Sequence, residues 1–117
     1  MPFTVNTLVF NQDTFVNPNR VIYTGPAHTF SSRDLFTLAR TAPKPTKDDL
    51  GVGKVEIKRT KTVTLAGGAT RDIIITITGS TPVGAAEADI DAAVDDAADF
   101  AISAEGKKLF KAHDINV

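Results

Sequence analysis

From Lys54 to Thr78 the chain alternates, and a period of two fixes which side of a sheet each residue faces. In KVEIKRTKTVTL one side carries Val55, Ile57, Val63 and Leu65. The other carries Lys54, Glu56, Lys58, Thr60, Thr62 and Thr64. In RDIIITIT, Ile73, Ile75 and Ile77 share one side, and Asp72, Ile74, Thr76 and Thr78 the other. Joined by AGGAT, the two segments predict a hairpin with an apolar and a polar face. A register with Val63 opposite Ile73 keeps the faces consistent, and sets Thr60 opposite Thr76 and Lys58 opposite Thr78. Arg59 and Lys61 break the pattern, because alternation points both to the apolar side. Their long stems are expected to carry the charges to acids on the helices, the alternative being a bulge that turns them.

Upstream, TLVF and RVIYT read as strands, with NQD, NPN and TGP as turns, and DLFTLART (34–41) as a further strand. APKPTKDDLGVG, with two Pro and two Gly, reads as an exposed loop. After GSTP the pattern changes. Thr81 is expected to cap a helix whose first residue is Pro82, where the missing N–H costs nothing. Ala86, Ile90, Ala93, Val94, Ala97 and Ala101 then recur at helical spacing to about Ile102, with Glu87, Asp91 and Asp95 on another face. SAEGKKLFKAH predicts a second helix capped by Ser103, with Lys107, Lys108 and Lys111 toward its negative end. Strands first and helices last give an α+β fold, an antiparallel sheet with helices on one face. The reading is of one domain over 1–117, with strands over about 4–79 and helices over about 82–112.

A chain of 117 residues has little core to spare, and 15 of its residues are Ala, which bury little area each. Burial against a second chain is therefore expected, as an obligate homodimer. The net charge of −1 hides a split: residues 1–80 hold 10 Lys and Arg against 6 Asp and Glu, whereas 81–117 hold 3 against 8. No Cys is present, which excludes disulfides, Cys-ligated zinc and thiol catalysis. MPFTVNTLVF has no basic n-region or long apolar run, so no secretory signal is expected. No stretch reaches the roughly 20 apolar residues of a membrane span.

Little points to reaction chemistry. His28 and His113 lie far apart and away from any nucleophile context. AGGAT lacks the Lys of a phosphate-binding loop. Asp91, Asp95 and Asp99 recur at four-residue spacing, but three carboxylates on one helix read as a solvated face rather than a cation site. The expectations are no enzyme activity, no cofactor, no metal and no small-molecule substrate. The polar sheet face is more informative, since Lys ammonium groups and Thr hydroxyls suit phosphates and 2′-hydroxyls. The competing explanation is that Thr is a good strand former and Lys protects edges.

The order of elements, with RTAPKPT followed by KVEIKRTKTV and then DIIITITGS running into two terminal helices, resembles the coat proteins of single-stranded RNA bacteriophages, the leviviruses. The resemblance covers nearly the whole chain. It implies a sheet continued edge to edge across an interlocked dimer, helices that reach over the partner, and an icosahedral shell of many copies around single-stranded genomic RNA. The location implied is the virion, assembled in the cytoplasm of a bacterial host. The family's inward lysine falls on Lys58, and its hydroxyl positions on Thr60, Thr62, Thr76 and Thr78. With Lys54 these form the expected RNA-binding face, and translational repression through an RNA hairpin is known in several members. Strand 71–78 has no aromatic residue on that face, where some relatives stack a base on Tyr, and the 66–70 loop is shorter than in many relatives. The acidic helix would lie on the exterior. The alternative reading is a small dimeric RNA-binding regulator that forms no shell.

Overall fold

In the computed structural model, which describes residues 2–115, six strands lie side by side in the order in which they follow along the chain. They are β1 (Phe3–Val5), β2 (Leu8–Asn17), β3 (Arg20–Thr24), β4 (Asp34–Thr41), β5 (Val52–Thr64) and β6 (Thr70–Pro82), each antiparallel to the next. Two helices follow, α1 (Glu87–Ile102) and α2 (Ala104–Ala112). The strands up to Val83 and the helices from Gly84 form two compact units.

Turn chemistry explains most of the connections. Asn6 and Thr7 both take positive φ between β1 and β2, as a two-residue hairpin turn requires. Asn17 accepts the Asn19 N–H at 2.7 Å and closes the NPN turn. NQD, expected as a turn, instead lies inside β2. The ladder slips between Gln12 and Thr14, so Asp13 is accommodated as a bulge and the strand continues.

The β5–β6 hairpin keeps the predicted faces but not the predicted register. Val63 pairs with Arg71, Lys58 with Thr76 and Thr60 with Ile74, a shift of two residues. A shift of two leaves every side chain on its own face, so alternation could not detect it. The turn decides it. Leu65 N–H donates to Ala69 O at 2.8 Å and Gly68 takes φ +88, which closes the loop earlier than the apolar match suggested.

The helix start also differs. Thr81 and Pro82 do not cap a helix, because β6 continues through them, with Gly53 paired to Thr81 and Val52 to Pro82. Gly84, at φ +96, ends the extended run, and α1 begins at Glu87 behind Ala86, which offers no side-chain cap. Ser103 does cap α2, accepting the Gly106 N–H at 3.1 Å. A Cβ at Gly106 would collide with the Phe100 carbonyl, so the tight α1–α2 corner requires glycine.

Arg59 organises the apolar side of the sheet. The ladder around it is unbroken, so no bulge turns it. Its guanidinium lies 5.0 Å from the centre of the Phe10 ring and 5.2 Å from that of Phe36. The acid it meets is not on a helix but is Asp34 of the adjacent strand, at 2% exposure. Phe3, Phe10, Tyr23 and Phe36 pack edge-on or stacked around this pair. Lys61, also on this side, is exposed.

Burial is otherwise sparse. Among the described residues Phe10 is the one buried hydrophobic side chain, at 1% exposure, and α1 has no buried residue.

Candidate nucleic-acid interface

Pairing assigns the polar face residue by residue. Side chains directly opposite one another in a ladder share a face. The face therefore runs from Thr62 and Asp72 at the turn end, through Thr60 and Ile74, Lys58 and Thr76, and Glu56 and Thr78, to Lys54 and Ser80. Across β4 it continues through Leu35, Thr37, Ala39 and Thr41, and across β3 through Thr24, Ile22 and Arg20. All six residues expected from sequence, Lys54, Lys58, Thr60, Thr62, Thr76 and Thr78, lie on it.

Their availability differs. Lys54, Thr76 and Thr78 are exposed, and Lys58 is half-buried between Thr37 and Thr76. Thr60 is only 7% exposed, flanked by Leu35 and Ile74, which limits its hydroxyl to a ligand that reaches deep between them. Thr62 is already engaged. Its hydroxyl donates to Asp72 Oδ1 at 2.6 Å and accepts the Arg33 N–H at 2.8 Å.

Asp72 in turn accepts from the Arg33 guanidinium at 2.9 Å. The Thr62 hydrogen bond, reinforced by the Arg33 hydrogen bond and charge, holds its carboxyl below the ordinary value of 3.8 in spite of partial burial. This network neutralises the turn end of the face. In the middle, Leu35, Thr60 and Ile74 make a small apolar island, with Ile74 at 53% exposure. At the far end Lys54 and Arg20 lie near a shallow depression of about 580 Å³ whose lining includes Asn17, Asn19, Thr41, Glu56, Thr78 and Ser80.

Cations at one end, neutral charge at the other and hydroxyls between can hold a polyanion by phosphate attraction and hydroxyl hydrogen bonds. Sequence reading missed Arg20, Thr37 and Thr41. RVIYT has no alternation to assign Arg20 to a face. The four-residue spacing of Thr37 and Thr41 in DLFTLART was a usable signal. Among the described residues no group of three or more His, Asp or Glu could hold a metal ion, and no helix is long and apolar enough to cross a membrane.

No protein-family model matches the chain, and no curated protein sequence matches it. Solved structures do. The virus-like particle of Beihai levi-like virus 32 aligns with a TM-score of 0.80 at 21% identity, over 95% of this chain and 90% of that one. That of Wenzhou levi-like virus 4 gives 0.78 at 23% identity, over 92% and 78%. That of bacteriophage GQ-907 gives 0.79 at 15% identity, over 97% and 87%. The chain has the fold of these particle subunits, the RNA phage coat-protein fold that its sequence resembles.

Proposed function

We propose that this chain is a viral coat protein that dimerises and closes into an icosahedral shell around single-stranded RNA, with the Lys- and Thr-bearing sheet face turned inward. The observation that carries this reading is the match, over nearly its whole length, to subunits of levi-like virus-like particles. Its own energetics agree. Ile73 and Ile77 are half exposed on the apolar face, and Val94 and Phe100 on α1. Such side chains favour a partner that covers them.

The 13-residue strand β6 is an edge of the sheet. Its free hydrogen-bonding side is where a second copy would continue the sheet across a two-fold axis. The inward face would then double across that axis, giving each dimer two Lys54–Lys58 clusters. The exposed Asp91 and Asp95 of α1 would lie outside, away from RNA. The role is structural and not enzymatic.

The test is the size of the recombinant protein. Particles of megadalton mass, visible as closed shells by negative-stain electron microscopy and containing nuclease-protected RNA, are expected. A dimer that binds RNA but never assembles would instead support the regulator reading.

A further inference from the structure

A side chain outside the interface is unusually bare. Phe30 is the most exposed large hydrophobic residue of the described chain, at 110% of its reference surface. It sits at the tip of the β3–β4 loop, and the loop is well braced. Thr29 and Ser32 exchange backbone hydrogen bonds at 2.8 and 3.4 Å around it, and Thr29 Oγ1 accepts the Ser32 N–H as well. The base of the loop is tied to the buried Asp34, which takes the Gly25 N–H on its carbonyl and the Ala27 N–H on its carboxylate. Gly25 is required there, because a Cβ would run into the Asp34 carboxylate and the Phe10 ring. The buried Asp34, paired with Arg59, thus anchors a loop that holds an aromatic ring in water, beside exposed Pro26 and Ala27.

At the opposite end of β4 lies a recess that could receive such a ring. A mostly apolar niche of about 380 Å³ includes Ala42, Pro43, Gly53 and Val55 in its lining, with Arg40 and Lys54 at its sides. The Arg40 guanidinium is fixed by hydrogen bonds to Asn19 Oδ1 at 3.3 Å and Pro18 O at 3.1 Å. The niche is open because Gly53 has no side chain to fill it. The eight residues of β4 separate knob and niche by about 26 Å, so one copy cannot satisfy itself.

We infer that Phe30 of one copy docks into the Arg40–Pro43–Gly53 niche of another, forming a head-to-tail contact between dimers. This rests on the coat-protein reading and adds to it. A two-fold contact pairs identical patches and stops at a dimer, whereas joining unlike patches is what closes rings. The occupant is a second copy for two reasons on the chain itself. The chain itself presents the fully exposed Phe30 ring, and the fixed Arg40 cation complements the negative face of an aromatic ring.

Photocrosslinking tests the contact in the intact protein. With p-benzoylphenylalanine in place of Phe30, irradiated particles should yield interchain adducts that map to residues 40–43 or 53–55. Adducts on RNA, or on other protein segments, would overturn it. Two substitutions approach from opposite sides. Phe30→Ser removes the knob, and Gly53→Val fills the niche, where a new Cβ meets Pro43 Cγ at an ordinary 3.8 Å. Each should leave the dimer intact in sedimentation and cut the yield of closed particles about tenfold or more, as loss of an aromatic anchor does. Equal particle yields from wild type and both variants would sink this contact and leave the coat-protein reading standing. A wild-type protein that forms no particles would remove both.

Discussion

The two faces of the β5–β6 hairpin come from the same two strands yet leave opposite things unfinished. On the apolar face the half-buried cation of Arg59 is satisfied internally by Asp34, two aromatic rings and the carbonyls of Leu35 and Thr60 at 3.2 and 3.1 Å. What that face leaves open is mainly hydrocarbon, with Ile73 and Ile77 at 49% and 51% exposure beside the exposed Lys61. On the polar face the exposed hydrocarbon is confined to the island around Ile74, and charge is left open at Lys54 and Lys58. On the proposed reading, the exposed isoleucines meet copies of the chain on one side. On the same reading, a face that neutralises Asp72 and leaves Lys54 and Lys58 open meets an anion on the other.

The comparison breaks most severely at the ion pair. Asp34→Ala would strand the Arg59 cation among phenyl rings, and should cost about 3–5 kcal/mol in chemical denaturation of the dimer. Replacing both, Asp34→Ala with Arg59→Met, should recover much of that loss, because an apolar pair needs no counter-charge. If the single variant is as stable as wild type, the apolar face is not organised by this pair.

Next in size is the hydrocarbon left open. Ile77→Asp places a carboxylate where a partner is to cover the sheet, and should weaken self-association by about 2–4 kcal/mol, roughly 30- to 1000-fold in dissociation constant by sedimentation. Thr78→Asp, one residue away on the other face, should leave the dimer constant nearly unchanged. Equal effects at 77 and 78 would mean that the faces do not differ in function.

That contrast was legible in the sequence because alternation survives even where pairing is wrong. Val, Ile and Thr in period two assigned the faces of β5 and β6, and DLFTLART and RVIYT matched β4 and β3 residue for residue. What alternation cannot do is choose between registers two residues apart, and the LAGGA turn made that choice instead. The same limit applied at Thr81 and Pro82. They carry a good capping signature, but backbone pairing to Val52 and Gly53 outweighed it. Asp34 looked like an unremarkable strand start, since nothing local shows that Arg59 lies two strand positions away across the β4–β5 ladder. Of the six expected contact residues, the face was legible for all. The burial of Thr60 and the engagement of Thr62 depend on neighbours from β4 and its preceding loop, and were not.

Smaller effects sharpen the polar face. Lys58→Ala should weaken RNA binding by the dimer. It should also flatten the slope of log affinity against log salt by about 0.7 for each phosphate no longer neutralised, the single-strand value. Asp91→Lys on α1 should not weaken RNA binding. The smallest expected change is at Asp72. Because its folded-state pKa is lowered, its carboxylate contributes stability that is present above the ordinary 3.8 and lost as pH falls through the lower folded value. Asp72→Asn should therefore lower the melting temperature at pH 6, with the difference from wild type closing toward pH 2. A gap that widens on acidification would contradict the Thr62–Asp72–Arg33 network.

The central claim is that one face of this sheet is the inside of a shell. A cryo-electron microscopy map of recombinant particles, purified after nuclease treatment, addresses it most directly. Closed shells of dimers are expected, with Lys54, Lys58 and Thr76 facing the lumen against protected RNA density, and with Asp91 and Asp95 outside. Shells with α1 lining the lumen and Lys58 on the outer surface, or dimers with no closed particle at all, would contradict it.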